Sequence, residues 1–137
     1  MTVQVIPSRV VICELNPHQA VFLREKNGGR EFPIILGLFE ATIIDRKIRQ
    51  LPSSRPLTHD LLYQAIVALD GNLIDVVINR VEKQTFFAQI HLQLADRHVF
   101  LDARPSDAIA LAVTVEPNLA IYVTEDVLEQ ALKIHLP

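Results

Sequence analysis

Apolar positions along this chain change period in a repeating order. Ala20 to Glu25 and Arg30 to Leu36 alternate as strands around Asn27-Gly28-Gly29, a strong hairpin signal. Val10 to Leu15 reads as the strand before them, ended by Asn16-Pro17-His18. Gly37 breaks the alternation, and Leu38 to Arg49 takes helical spacing with Ile44 and Ile48 on one face. After the loop Pro52 to Pro56, Thr58 is an expected N-cap. Leu57, Leu61, Leu62, Ala65, Ile66 and Leu69 follow at helical spacing. The order then recurs. Leu73 to Arg80 is a strand. Phe86 to Leu94 alternates most cleanly, with Phe86, Ala88, Ile90, Leu92 and Leu94 on one face. His98 to Ala103 returns across a turn at Asp96-Arg97. Pro105 then opens a helix that is apolar on nearly every side through Ala108 to Val113, which belongs inside a core. Ala120 to Val123 is a short buried strand, and Thr124 is expected to cap a last amphipathic helix carrying Val127, Leu128 and Ala131.

Laying Arg30–Ile44 on Arg97–Leu111 matches strand to strand and helix to helix. Gly37 falls on Arg104, Glu40 on Asp107 and Ala41 on Ala108. The pattern therefore predicts one α+β domain over residues 1–137, with pseudo-repeats at about 8–70 and 71–135. The two β-β-β-α units are expected to join into one curved, barrel-like, mostly antiparallel sheet with helices outside.

Composition narrows the class without naming an activity. Half of the residues are hydrophobic, enough for a substantial core, and the formal net charge is −3. That balance gives no general attraction for nucleic acid, so any such contact must be local. A single cysteine, Cys13, excludes an internal disulfide. Met1-Thr2-Val3-Gln4 does not open a basic-then-apolar leader, and no apolar run approaches a membrane span. The expectation is a cytoplasmic protein with no membrane partner.

Candidate chemistry gathers at the helix starts. Glu40 and Asp107 occupy matched first-turn positions, where the helix dipole favours a carboxylate. Either alone reads as simple capping. In a duplicated fold equivalent tips meet near the pseudo-symmetry axis, and carboxylates gathered there could hold Mg²⁺ or Mn²⁺ through oxygen. Arg55-Pro56-Leu57-Thr58-His59-Asp60 is a second cluster, in which Arg55 could grip a phosphate. If Leu94 pairs with Val99, His91 lies opposite Asp102, as a base with its orienting carboxylate, as two metal ligands, or as a pair on a solvated or interface face. Arg46, Lys47 and Arg49 read as a solvated basic face. There is no zinc pattern, phosphate-binding glycine loop or nucleophile elbow.

Three stretches carry a resemblance. Phe32-Pro33-Ile34-Ile35-Leu36-Gly37 with Glu40-Ala41, Arg55 to Leu62, and above all Asp102-Ala103-Arg104-Pro105-Ser106-Asp107-Ala108-Ile109-Ala110-Leu111-Ala112 resemble the motifs of the bifunctional nuclease family. The similarity covers roughly Val3 to Leu132. It implies an α+β domain of two β-β-β-α repeats, homodimers or higher homo-oligomers, and hydrolysis of phosphodiester bonds in DNA or RNA. On that reading Glu40, Asp102 and Asp107 are metal ligands or water-positioning groups. His59 is a general base or acid tuned by Asp60, and Arg55, Arg104 and Ser106 bind substrate. One departure stands out: where the family often has Asp-Gly before a Phe-Tyr-Ala strand start, this chain has Lys83-Gln84-Thr85-Phe86-Phe87-Ala88. Phe87 thus lacks a phenol hydroxyl. The alternative is a non-catalytic oligomeric binding or regulatory module whose polar motif is structural. Phe87 and Phe100, outward on their strands, need cover under either reading.

Overall fold

The computed structural model describes residues 1–13 and 15–134. Seven strands and four helices follow in the order β1 (Thr2–Val11), β2 (Gln19–Glu25), β3 (Glu31–Leu36), α1 (Leu38–Ile48), α2 (Thr58–Ala68), β4 (Gly71–Glu82), β5 (Thr85–Leu94), β6 (Arg97–Ala103), α3 (Pro105–Thr114), β7 (Ala120–Thr124) and α4 (Glu125–Ile134). The strands form one sheet in the order β3-β2-β1-β7-β4-β5-β6. Two antiparallel meanders, β3-β2-β1 and β4-β5-β6, flank β7, which runs antiparallel to β1 and parallel to β4. No described helix is long and apolar enough to cross a membrane.

The α+β class and the recurring β-β-β-α order are present, but the barrel is not. The sheet is mixed and open, ending at β3 and β6, which do not pair with each other. Pro33 at the centre of β3 has no N–H to donate, and proline within a sheet is confined to an edge. The repeat relation is otherwise close. N-cap Gly37 of α1 and N-cap Arg104 of α3 lie 104 − 37 = 67 positions apart, and the same shift carries β3 onto β6.

Local differences have local causes. The first strand begins at Thr2 rather than Val10 because a bulge between Pro7 and Arg9 absorbs the proline that interrupts its alternation. Leu15 lies in a turn, and Glu14 lies outside the described residues. The β5–β6 turn is one residue earlier than expected. Ala95 takes a left-handed φ of 55°, so Leu94 pairs with Arg97 and the turn needs only Ala95 and Asp96. Asp102 therefore faces Gln89, and His91 faces Phe100; the expected His91–Asp102 pair does not form. Thr124 ends β7 with its hydroxyl buried and unpartnered instead of capping α4.

The core lies on one face of the sheet around α3. Ala108 to Ala112 are fully buried, so the helix that is apolar on every side is the centre of the packing. Val21, Leu23, Val76, Ile78 and Val123 from the strands, Ala41 and Ile44 from α1, and Val127 and Leu128 from α4 share one core cluster with it. Helix α2 forms where the spacing places it, but only His59 on it is buried, while Leu61, Leu62, Ala65 and Leu69 are exposed. Phe100 is 57 % exposed, whereas Phe87 is covered by the Arg80 guanidinium 3.8 Å above its ring.

Candidate functional site: a cleft between two helix tips

Strands β3 and β6 each deliver the chain into a helix whose N-terminus opens on a common cleft of about 480 Å³. Leu36, Gly37 and Glu40 line it from one repeat, Arg104, Pro105 and Ser106 from the other, and Thr85 and Phe86 from β5. Neither helix has a side-chain cap, so the first-turn N–H groups and the dipoles behind them contribute partial positive charge there.

Arg104 joins the two tips. Its Nε donates to Asp107 Oδ2 at 2.9 Å, its Nη2 to Asp107 Oδ1 at 3.3 Å, and its Nη1 to Glu40 Oε2 at 3.2 Å. A guanidinium carries five N–H donors, so three are engaged and two are left. The side chain remains 65 % exposed. Its hydrogen bonds to Asp107, with the charges of Asp107 and Glu40, raise Arg104 above its already high pKa. Burial pushes the Asp107 carboxyl up, but hydrogen bonds from Arg104 and His59 outweigh that and hold it below its ordinary value.

His59 closes the cluster from α2. It is 6 % exposed, and its Nε2 lies 3.1 Å from Asp107 Oδ1. Its Nδ1 is buried with no hydrogen-bond partner among the described residues. With a carboxylate on one nitrogen and nothing to accept from the other, the ring carries its hydrogen on Nε2 and donates to Asp107. An N–H on Nδ1 would be buried unpaired at a cost of about 1–3 kcal/mol. His59 therefore orients Asp107 from α2.

Glu40, Arg104 and Asp107 thus meet as the repeat alignment predicts, with His59 behind them and Ser106 in the cleft wall. The other candidates lie elsewhere. Asp60 accepts the Leu57 N–H at 2.8 Å and the Lys47 ammonium at 2.5 Å, closing the first turn of α2 where Thr58 was the expected cap. Burial raises its pKa, and these two bonds reverse the shift and lower it. It makes no hydrogen bond to His59 among the described residues; the His59 charge lowers its pKa further. Lys47 is accordingly a structural ion-pair partner, not part of a free basic face. Arg55 lies with Asp60 and Tyr63 around a different hollow, and Asp102 lies with Asn79, Arg80 and Gln89 around another. Gly37 stands beside Glu40 at the tip of α1. A Cβ there would stand 2.7 Å from Glu40 Oε1, so glycine leaves that carboxylate its place.

The cleft does not fit the Mg²⁺ or Mn²⁺ expectation as arranged. The Arg104 guanidinium lies where a cation shared by Glu40 and Asp107 would stand. Among the described residues no three His, Cys, Asp or Glu side chains are placed to hold a metal ion together.

The three motifs, two of which line this cleft while the second reaches it only through the contact of His59 with Asp107, lie within a longer match: the bifunctional nuclease domain model covers residues 21–135. The chain belongs to the bifunctional nuclease family. Two relatives from Mycobacterium tuberculosis, "Uncharacterized protein MT1877" of strain CDC 1551 / Oshkosh and "Uncharacterized protein Rv1829" of strain ATCC 25618 / H37Rv, are each 41 % identical over 111 residues. The match covers 81 % of this chain and 65 % of each relative, so the chain spans about two thirds of their length.

Proposed function

We propose that this bifunctional nuclease domain hydrolyses phosphodiester bonds of DNA or RNA in the cleft between the tips of α1 and α3. The observation that carries the reading is Arg104, an exposed guanidinium held by two carboxylates with two donors to spare. A planar fork of this kind suits a phosphodiester and the charge that grows on its oxygens as water adds. The two helix N-termini add to that field. Glu40 uses only Oε2 toward Arg104, leaving Oε1 to accept a proton from the attacking water. Asp107 anchors the guanidinium, and His59 anchors Asp107. Ser106 contributes a hydroxyl donor from the cleft wall. With a net charge of −3, affinity for nucleic acid rests on this local arrangement and is salt-sensitive.

A second reading has its own support. Arg104 is paired to both repeats, as a lock between two helix tips would be, which is what a non-catalytic module needs. Purified protein incubated with single-stranded DNA and with RNA separates the two. Hydrolysis that co-elutes with the protein and is lost in Arg104→Ala supports the nuclease. Folded, monodisperse protein without hydrolysis supports the module. In either case the apolar residues left outward on α2, Leu61, Val67 and Leu69, favour association with a second copy.

A further inference from the structure

The hairpin of β5 and β6 carries a cluster that the cleft does not use. His91 and His98 are diagonal neighbours on the side of the sheet away from the helices, with His91 Nε2 2.8 Å from His98 Nδ1. Behind them, His91 Nδ1 lies 3.4 Å from Oδ1 of Asp75 on β4. That oxygen is buried and has no hydrogen bond among the described residues. The Phe100 ring stacks on His91 with centroids 4.6 Å apart and fixes the plane of the imidazole.

The geometry points to a binding site for a divalent transition-metal ion between His91 Nε2 and His98 Nδ1, with Asp75 in support. An imidazole that ligates a metal characteristically turns its other N–H to a carboxylate, which fixes the tautomer and raises ligand basicity. Asp75 stands in that place. With the His91 hydrogen on Nδ1, its Nε2 lone pair faces His98. Moving the His98 hydrogen from Nδ1 to Nε2 turns a second lone pair to the same point. Two nitrogens about 2.05 Å from a tetrahedral ion stand about 3.3 Å apart, so a small rotation of the exposed His98 ring makes room. A positive charge beyond His91 also compensates the orphaned Asp75 oxygen. Two imidazoles favour Zn²⁺ or Cu²⁺ over Mg²⁺ or Ca²⁺, and water fills the other positions. The site takes two direct protein ligands and is separate from the cleft and from its proposed chemistry.

Titration of the full chain with Zn²⁺ by calorimetry, paired with Cu²⁺ electron paramagnetic resonance, tests this. The expected result is one saturable site whose affinity falls at least about tenfold in His91→Gln and in His98→Gln, and about tenfold in Asp75→Asn. His18→Gln leaves it unchanged. The Cu²⁺ spectrum shows coupling to two nitrogens in the parent and to one in His98→Gln. His98 is exposed, so its variant stays folded whatever becomes of Asp75→Asn. A His98→Gln isotherm that superimposes on the parent, or no saturable Zn²⁺ binding by the folded parent, overturns the proposal.

Discussion

The two β-β-β-α units share a backbone plan and divide the chemistry between them. At the centre of each helix they agree: Ala41 and Ala108, and likewise Ile44 and Leu111, are equivalent positions and all are fully buried. At the tips they part. The N-cap is Gly37 in one unit and Arg104 in the other. Glycine leaves space in which Glu40 can lie, and arginine fills the space between Glu40 and Asp107 with charge. Duplication thus keeps paired positions alike where packing constrains both copies. It lets them diverge where they meet solvent and each other.

Substitutions at paired positions sharpen that contrast. The largest effects belong to the shared core: Ile44→Ala and Leu111→Ala should each cost about 2–5 kcal/mol of stability in denaturant unfolding, and by similar amounts. Clearly unequal costs would break the equivalence of the two units. At the tips the effects should be unequal and should fall on activity. Asp107→Asn weakens the anchor of Arg104 and should lower kcat/KM on nucleic acid about 10–100-fold. His59→Gln, which acts only through Asp107, should lower it about tenfold with little change in KM. Gly37→Ala, which crowds Glu40 without touching charge, should cost several-fold in steady-state assays, while Ala at Glu40 should cost more.

The smallest effect is a pH dependence of stability. Glu25 bonds Arg30, which also pairs with Glu125, and its carboxyl is lowered from 4.5 to about 2 by the side-chain and backbone hydrogen bonds of Arg30. A carboxyl depressed in the folded state contributes stability above its unfolded value, which is lost as pH falls through the folded one. Urea midpoints should therefore fall as pH drops from about 4.5 toward 2, and Glu25→Gln should flatten that limb. Asp60 and Asp107, both lowered, steepen it in the same direction.

Much of this arrangement is legible in the residue pattern because it follows from local period. The meanders, the central helix Ala108–Val113 and the meeting of Glu40 with Asp107 all follow from strand alternation and the repeat alignment. What is not legible depends on partners distant in sequence or on backbone freedom that composition hides. The contact of His59 with Asp107 spans 48 positions. Lys47 takes Asp60 away from the role its neighbour His59 suggests. A left-handed Ala95 moves the β5–β6 register by two residues and separates His91 from Asp102. Openness of the sheet turns on β3 and β6 not pairing with each other, which alternation along either strand does not reveal. The apolar spacing of α2 marks a helix correctly but does not say that its stripe faces outward.

The central claim is that the Arg104 guanidinium, shared by both units, is the group on which phosphodiester hydrolysis depends. The most direct measurement is kcat/KM of purified parent and Arg104→Ala on single-stranded DNA and on RNA, with unfolding free energies measured in parallel. The account predicts a loss of about 100-fold or more in activity with less than about 1 kcal/mol of stability change, because the side chain is largely exposed. An Arg104→Ala protein that cleaves as fast as the parent, or a folded parent that cleaves neither substrate, would contradict it.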